Sequence, residues 1–365
     1  MTPEHKAAEA FNLGGPIQDV QPHGHGLIND TFVVTTAAGR RAILQRINRH
    51  VFPEPERIME NLRTLMNHIR RHRAPGAIAA RELWLPEIFS AHMGKDFITD
   101  AQNGFWRATG FFENTRTLES IMNVRQAEEV GFALGRFHAL IHDLDPALLH
   151  ETLPGFHNAP AYFARFLRAS ARPRRASAGA ELLYCLSFVE ERGGLTRILE
   201  SARHEGKLAI RPIHGDPKLD NFLFDAKNDR VVSLIDLDTV QPGLVQYDIG
   251  DCLRSCCNPA GESPGDSAAV RFDLDICRAI LQRYISETRS FLTPEDYRYM
   301  YVAMRLMPFE LGLRFLTDHL EGNRYFKTDW PEQNLHRARV QFELTASIER
   351  SEEKLRILIA GLSGH

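Results

Sequence analysis

One part of this sequence constrains the fold more than any other: the segment HGDPKLDN, residues 214–221, with the apolar run VVSLIDLD, residues 231–238. The first segment has the glycine and proline of a turn, and it carries Asp216 where a carboxylate can face a cleft. Asn221 closes the same segment. Asp236 ends a run that is typical of a buried strand, and a carboxylate there is unfavourable unless a cation compensates it.

This arrangement of residue types matches the needs of phosphoryl transfer to a hydroxyl group. Asp216 is predicted to orient the acceptor hydroxyl and to take its proton late in the reaction. Asn221 and Asp236 offer the hard oxygen ligands that Mg²⁺ prefers, and phosphate oxygens and water would complete the coordination. The sequence therefore predicts a small-molecule kinase that uses ATP and Mg²⁺.

The residues at the start of the chain predict a structure that covers the nucleotide. Gly24 and Gly26 precede the strand TFVVTT and are expected to present backbone N–H groups to the phosphates of ATP. Asn29 and Asp30 lie at the exit of the same turn. They could reach either the phosphates or the acceptor, so both are candidate substrate-binding residues.

The strand RAILQRI, residues 41–47, lies where a kinase carries the lysine that pairs with the nucleotide phosphates, and it contains no lysine. Gln45 or Arg46 must fill that role, with Glu60 on the following helix as a possible partner. Arginine can pair with phosphate through two hydrogen bonds, whereas glutamine donates only neutral ones. The sequence leaves the choice open, because it does not fix which side chain faces the cleft.

Hydrophobic periodicity predicts an α+β chain with the two-lobed outline of a protein kinase. A small, β-rich lobe with a nucleotide-covering sheet and one helix is expected over residues 1–113, and a larger helical lobe with the catalytic loop and the acceptor site over residues 114–365. Within the first lobe we predict strands at 31–36, 41–47, 87–90 and 105–111, and a helix at 56–71. Within the second we predict helices covering 130–144, 271–290, 294–320 and 333–360.

Composition excludes some classes of function. The 44 basic and 47 acidic residues nearly balance, which is not the pattern of a nucleic-acid-binding protein. No apolar run is long enough for a membrane span, and the first residues do not resemble a secretion signal. The five cysteines match no zinc or disulfide pattern, so we expect free thiols and a cytoplasmic protein. Oligomeric state cannot be read from the sequence.

The catalytic segment resembles that of the aminoglycoside phosphotransferase and choline kinase superfamily, whose loop reads HGDxxxxN before an Ile-Asp strand. Further segments are similar to the N-acetylhexosamine 1-kinases: LINDTF, ILQRIN, IDLDTVQPGL, YDIGDCLRS and ELGLRFLTDHLEGNRYFK. The resemblance covers nearly the whole chain. It implies phosphorylation of the anomeric hydroxyl of N-acetylgalactosamine or N-acetylglucosamine by ATP and Mg²⁺.

The same resemblance implies that Arg314 and Tyr325 approach the sugar. It also shows one departure, because members of that group commonly carry histidine where this chain has Leu27. Loss of a polar group there would change how a hydroxyl or acetamido group is held. The acceptor is therefore expected to be an N-acetylhexosamine or a related hexose.

Two alternatives stay open from the sequence. One is a kinase for an amino alcohol or an aminoglycoside, which would need an acidic or aromatic pocket for its cationic acceptor. The other is a catalytically weak nucleotide-binding module, which the missing lysine makes plausible. A protein kinase is disfavoured, because no DFG or APE segment follows Asp236.

Overall fold

The computed structural model describes residues 1–24, 28–72, 81–171, 179–261, 264–265 and 267–363. Over these residues a small lobe built on an antiparallel sheet precedes a larger, mostly helical lobe. The predicted fold class is confirmed.

The small lobe is a sheet in the order β1-β2-β3-β6-β4, with β5 also paired to β6. Gly39 adopts a φ of +78° in the turn between β2 and β3, a backbone conformation that glycine reaches without steric cost. The predicted hairpin and the helix that follows it are confirmed. The elements are α1 (Pro3–Glu9), β1 (Ile17–Pro22), β2 (Asp30–Thr36), β3 (Arg41–Ile47), α2 (Pro55–His72), β4 (Ile88–Phe89), β5 (Ile98–Thr99) and β6 (Phe105–Gly110).

The two faces of this sheet bury different apolar clusters, because side chains alternate along each strand. Leu44 and Trp106 face outward and pack with residues of α1 in a small cluster of their own. Ile47 and Phe105 face inward and belong to the main core, which continues into the helical lobe. The inward face is thus the one that meets the cleft between the lobes.

The large lobe surrounds two short ribbons with helices. The ribbons have the orders β10-β9-β7 and β11-β8. The strands are β7 (Thr115–Arg116), β8 (Arg211–Ile213), β9 (Phe222–Asp225), β10 (Val231–Leu234) and β11 (Gln241–Gly243). The helices are α3 (Val124–Ile141), α4 (Ala159–Ser170), α5 (Ala180–Arg192), α6 (Ile198–His204), α7 (Val245–Cys256), α8 (Leu274–Thr288), α9 (Pro294–Arg298), α10 (Met300–Leu320), α11 (Gln333–Arg350) and α12 (Glu352–Ser363).

Two of the predicted long helices were wrong as single elements. The region 294–320 divides at Tyr299, which caps both α9 and α10 with a φ of −90° and a ψ of −1°. The region 333–360 divides at Ser351, whose φ of −105° and ψ of 11° interrupt the helix between α11 and α12. Apolar periodicity continues across both breaks, so it could not reveal them.

Two further expectations concern single features of the chain. All five cysteines are buried and free. Within the part of the chain that the structure describes, no helix has the length and apolar character needed to cross a membrane.

Candidate active site

The catalytic segment forms a tight loop between β8 and β9. Gly215 has a φ of +91°, and a Cβ atom at this position would lie 2.5 Å from the carbonyl oxygen of Thr239. Only glycine fits this position. Asp216 follows it directly and keeps 28% of its side chain accessible, so the predicted base is held at the surface of the cleft.

A buried carboxylate fixes the backbone of this loop. Asp248, on α7, accepts hydrogen bonds from the backbone N–H groups of His214 at 2.7 Å and Gly215 at 2.8 Å. Its third donor is the Nε2 of His138, at 2.8 Å. Burial opposes the charge of Asp248, but the His138 hydrogen bond lowers the pKa of the carboxyl below its ordinary value. The loop is therefore anchored to an ionised group with no access to solvent.

His214 connects the catalytic loop to the end of β10. Its Nδ1 accepts the backbone N–H of Asp216 at 3.3 Å, and its Nε2 donates to the carbonyl of Ile235 at 3.0 Å. Burial lowers the pKa of His214, so the neutral ring is favoured, with one nitrogen accepting and the other donating. His214 is a scaffold residue that sets the distance between the two carboxylate-bearing segments.

The side chain of Asp216 is ionised at neutral pH. Burial would raise the pKa of its carboxyl, but the nearby charges, led by Lys218, lower it below the ordinary value. The Nζ of Lys218 lies 3.1 Å from the Asp216 Oδ2 atom. An ionised carboxylate beside a cation can accept a proton from a hydroxyl once the hydroxyl begins to form its new bond.

Asn221 and Asp236, the predicted metal ligands, lie near each other beside the Asp216 loop. The Nδ2 of Asn221 donates to the backbone carbonyl of Asp216 at 2.7 Å, and the backbone carbonyl of Asn221 accepts the N–H of Ile235 at 2.9 Å. Asp236 has a left-handed backbone, with a φ of 60°. This geometry turns its side chain out of the strand direction at the end of β10.

Asp236 and Asn221 are the residues here that could hold a divalent cation. Loss of surrounding water and the nearby negative charges of Asp238 and Asp216 raise the pKa of the Asp236 carboxyl to about 7. The side chain of Asp236 nevertheless keeps an exposed surface. Clustered carboxylates of this kind are unfavourable until a cation compensates them. The side-chain amide oxygen of Asn221 and the carboxylate of Asp236 are the hard oxygen donors that Mg²⁺ requires.

Asp238 is engaged by the small lobe. It forms a buried ion pair with Arg107 of β6, and its Oδ2 accepts the Nδ2 of Asn29 at 2.9 Å. The Oδ1 of Asn29 in turn accepts the backbone N–H of Asn48 at 3.0 Å. Asn29, one of the predicted substrate-binding residues, thus links the start of β2 to the loop that carries Asp236.

The structure places Gln45 and Arg46 on opposite faces of the sheet. Gln45 faces inward, where its Oε1 accepts the Nε and Nη2 of Arg107 at 3.1 and 2.8 Å. Arg46 faces outward, with its guanidinium 5.7 Å from the centroid of the Trp106 ring. Asp30 is the cross-strand partner of Arg46 and shares that outward face.

Three other candidates from the sequence lie elsewhere. Glu60 does not reach β3 but contacts His150, with Glu60 Oε2 2.9 Å from His150 Nε2. Gly24 lies two residues after β1 with a φ of +71°, and a Cβ atom there would have no described atom within 4 Å. Gly26, like Leu27, lies outside the described residues.

Arg314 and Tyr325 line one cavity of about 180 Å³. The guanidinium of Arg314 lies 5.4, 5.2 and 5.5 Å from the ring centroids of Phe156, Tyr162 and Phe326. Burial would lower the pKa of Arg314, but surrounding groups raise it, so the guanidinium stays charged. Among the described residues, no carboxylate forms an ion pair with it. The cavity therefore presents a cation among aromatic walls.

This cavity adjoins the catalytic loop through His157. The Nε2 of His157 donates to the carbonyl of Gly215 at 2.7 Å, and its Nδ1 lies 3.0 Å from Glu310 Oε1. Phe156, the neighbour of His157, is part of the cavity wall. A larger hollow of about 430 Å³ lies between α9 and α12, but it is lined by none of the residues discussed above.

The sequence did not reveal the groups that fix this site. Asp248 lies in the YDIGD segment, and nothing local indicates that it anchors a loop more than thirty residues away. His138 and His157 belong to separate elements that only the fold brings to the loop. Arg107 lies in a predicted strand and carried no signal. Lys218 could have been found, because it stands two residues after Asp216 in the motif itself.

Comparisons with known proteins give a matching family and several similar structures. A model of the phosphotransferase enzyme family matches residues 19–280. The structure is similar to an aminoglycoside phosphotransferase from Alicyclobacillus acidocaldarius, with a TM-score of 0.65 and 14% identity over 98% of this chain and 97% of that one. An ethanolamine kinase from Plasmodium vivax gives a TM-score of 0.56 and 16% identity over 89% and 82% of the two chains.

A third similar structure is a spectinomycin phosphotransferase in complex with ADP and spectinomycin. Its TM-score is 0.57, with 10% identity over 93% of this chain and 95% of that one. At these identities the likeness concerns the fold, and it agrees with the superfamily that the catalytic segment resembles.

Proposed function

This chain belongs to the phosphotransferase enzyme family, and from that premise we propose that it transfers the terminal phosphoryl group of ATP to a hydroxyl of a small sugar. The proposed acceptor group is the anomeric hydroxyl of an N-acetylhexosamine or a related hexose. The observation that carries the choice of a sugar is the cavity that contains Arg314 beside the catalytic loop.

The proposed reaction uses the loop as follows. Asp216 hydrogen-bonds the acceptor hydroxyl and aims its oxygen at the terminal phosphorus of ATP. The new oxygen–phosphorus bond forms as the bond from that phosphorus to the bridging oxygen breaks. The hydroxyl proton passes to Asp216 late in this step, and the products are ADP and the sugar phosphate. Lys218, beside Asp216, adds positive charge where the transferred group is most negative.

Asn221 and Asp236 would hold Mg²⁺, which would neutralise phosphate charge and orient the phosphates. Asn221 is kept in place by its hydrogen bond to the Asp216 carbonyl. Asp236 is kept in place by the backbone of Ile235, which bonds both Asn221 and His214. The proposed metal ligands and the proposed base are thus parts of one hydrogen-bonded unit.

The charge of the cavity favours a neutral acceptor over a cationic one. A cationic acceptor would have to lie beside the Arg314 guanidinium, and like charges at short range repel strongly in a partly dry site. Two nearby carboxylates are already engaged and are poor partners for such a cation. Glu310 contacts His157. Asp318, which lines the cavity, accepts the backbone N–H groups of residues 324–326. The aromatic walls offer apolar surface to a sugar ring, while Arg314 can donate hydrogen bonds to its oxygens.

The test is ADP release with Mg²⁺-ATP across a panel of acceptors. The panel contains N-acetylhexosamines, plain hexoses, choline, ethanolamine and an aminoglycoside, with Asp216→Asn as the matched blank. We expect turnover with a sugar and none with the cationic acceptors, with the phosphate located at the anomeric carbon by NMR.

Two outcomes would contradict the proposal. Turnover confined to the cationic acceptors would make the chain an amino alcohol or aminoglycoside kinase. Structurally similar proteins carry names of both kinds. ATP binding without turnover on any acceptor would indicate a nucleotide-binding module of weak activity.

A further inference from the structure

The strand that should carry a phosphate-pairing cation does not supply one to the cleft. On β3 the inward residue is the neutral Gln45, whereas Arg46 lies on the outward face. A kinase site needs positive charge at this point, because the phosphates of ATP carry several negative charges. The inward face of the sheet therefore has to obtain that charge from another strand.

Arg107 lies at the required place on the neighbouring strand. It is the direct cross-strand partner of Gln45, so the two side chains share the inward face. Thr31 is the partner of Gln45 on the other side, and its Oγ1 accepts the Nε2 of Gln45 at 3.2 Å. Gln45 is thus oriented by Thr31 and presents its Oε1 to the guanidinium of Arg107.

The guanidinium of Arg107 is buried and fixed by neighbouring side chains. Its side chain is 4% exposed and it pairs with Asp238, whose side chain is 2% exposed. These contacts use Nε and Nη2 and leave the Nη1 group out. Asp238 stands two residues after Asp236, so the ion pair places the charge of Arg107 close to the proposed metal site.

We propose that Arg107, carried on β6, is the cation that pairs with the nucleotide phosphates in place of a lysine on β3. Gln45 aims the guanidinium, and Asp238 is its counter-ion when no nucleotide is bound. This assignment rests on the proposed function, because it assumes that the cleft binds ATP. It adds a binding residue that the sequence did not reveal and removes Arg46 from the site.

A purely structural ion pair would predict a different result. If Arg107 only joins the lobes through Asp238, its loss lowers the stability of the protein but affects ATP and adenosine binding alike. If it pairs with phosphate, its loss weakens ATP binding and leaves adenosine binding unchanged. The ratio of the two affinities therefore separates the two roles.

The experiment is calorimetric titration of the full chain with ATP and with adenosine, without an acceptor. Arg107→Gln is expected to weaken ATP binding about tenfold to a hundredfold, the range for losing charge-assisted hydrogen bonds, with adenosine unchanged. Arg46→Gln is the matched control on the outward face and should bind both ligands as the wild type does. An unchanged ATP-to-adenosine ratio in Arg107→Gln would overturn the assignment.

Two further measurements distinguish a loss of phosphate binding from a folding defect in Arg107→Gln. The double variant Gln45→Lys with Arg107→Gln returns a lysine to the inward position of β3, and we expect it to recover most of the ATP affinity. In the wild type, the Nε–H NMR signal of Arg107, identified by its loss in Arg107→Lys, should shift with ATP and not with adenosine. A signal that ATP leaves in place would overturn the assignment.

Failure here can be told apart from failure of the proposed function, because no acceptor is present in these titrations. Sugar turnover with an Arg107→Gln affinity ratio equal to that of the wild type would reject Arg107 alone. Phosphate-dependent binding through Arg107 without any sugar turnover would reject the acceptor alone.

Discussion

Asp216 can be replaced without disturbing the loop that carries it, since the loop is held through backbone atoms. Its N–H bonds His214 and its carbonyl bonds Asn221. Asp216→Asn should therefore keep the melting temperature of the wild type and lose about 10²–10⁴ in kcat, the usual scale for a positioned acid or base. Paired measurements of melting by circular dichroism and of ADP release check this. A kcat close to that of the wild type would remove Asp216 from the mechanism.

Arg314 offers a test of acceptor recognition. Arg314→Met keeps most of the apolar contact with the surrounding rings but removes the hydrogen-bond donors, so the KM for the sugar should rise about tenfold or more. The KM for ATP should stay unchanged. The matched control is Arg165→Gln, because Arg165 lines the same cavity but forms an ion pair with Glu321. An equal rise in both variants would mean that Arg314 has no specific part in acceptor binding.

The residues that the sequence could predict are those that the chain itself brings together. Asp216 and Asn221 belong to one local turn, and Asp236 ends the strand that packs beside it, so spacing alone indicated the group. The choice between Gln45 and Arg46 depended on strand orientation, which the sequence does not fix. Arg107 could not be predicted, because its role arises only from the pairing of β3 with β6.

At the scale of elements, the turn between β8 and β9 depends on Gly215. Gly215→Ala would combine a φ of +91° with a Cβ atom 2.5 Å from a backbone oxygen, so the loop must move and carry Asp216 with it. We expect a loss of at least about 1–3 kcal/mol of stability, the usual cost of such strain, and a large fall in kcat. Gly94→Ala is the matched control, with a φ of +79° and nothing within 4 Å.

The control isolates the cause of the effect, since both variants strain the backbone but only one introduces a clash. Urea denaturation and kcat are measured for each. If Gly94→Ala and Gly215→Ala behaved alike, the close approach to Thr239 would have no importance for the loop.

The anchor that α7 provides should be visible in the pH dependence of stability. The pKa of Asp248 is lower in the folded protein than its ordinary value of 3.8. Its contribution is therefore complete above the unfolded pKa and is lost as the pH falls through the folded pKa. Asp248→Asn cannot accept both backbone N–H groups and His138, so we expect about 3–5 kcal/mol less stability at neutral pH, the usual cost of breaking a buried pair.

The measurement is urea denaturation of wild type and Asp248→Asn from neutral pH to below pH ~4. The difference in unfolding free energy should shrink in the acidic range, where the wild type loses its charged anchor. A constant difference at every pH would show that the ionisation of Asp248 does not contribute.

The elements that periodicity predicted well are those with one apolar face and clear ends. The hairpin of β2 and β3 and the helix α2 were of this kind, whereas α3 was predicted over 130–144 and lies at Val124–Ile141. The divisions at Tyr299 and Ser351 were missed, because both lie within continuous apolar patterns and depend on backbone angles at one residue. Helix α7 was not predicted, although its buried polar residues hold the catalytic loop.

At the scale of the whole molecule, the main core extends across the predicted boundary between residues 1–113 and 114–365. Ile47 and Phe105 of the sheet and Leu65 of α2 belong to the same cluster as the helices of the large lobe. The ion pair of Arg107 with Asp238 and the bond from Asn29 to Asp238 cross the same boundary. The sheet of the small lobe and the catalytic loop are thus stabilised together.

This shared core predicts one cooperative unfolding transition. The chain has three tryptophans, and Trp106 is the buried one in the sheet at 2% exposed, whereas Trp84 and Trp330 are 49% and 46% exposed. A Trp84→Phe, Trp330→Phe background makes fluorescence report the small lobe, while far-UV circular dichroism reports mainly the helices. We expect the two urea transitions to coincide, as a two-state protein requires.

Leu65→Ala in that background tests whether the shared core is the reason that the two transitions coincide. Leu65 is fully buried in the shared core, so its loss should cost about 2–5 kcal/mol and shift both signals by the same amount. Leu44→Ala, equally buried but in the outward cluster beneath α1, is the control for a cavity that does not touch the shared core. If Leu65→Ala moved the fluorescence transition and left the dichroism transition in place, the lobes would unfold separately, and the sheet of the small lobe would not depend on the helical lobe for its stability.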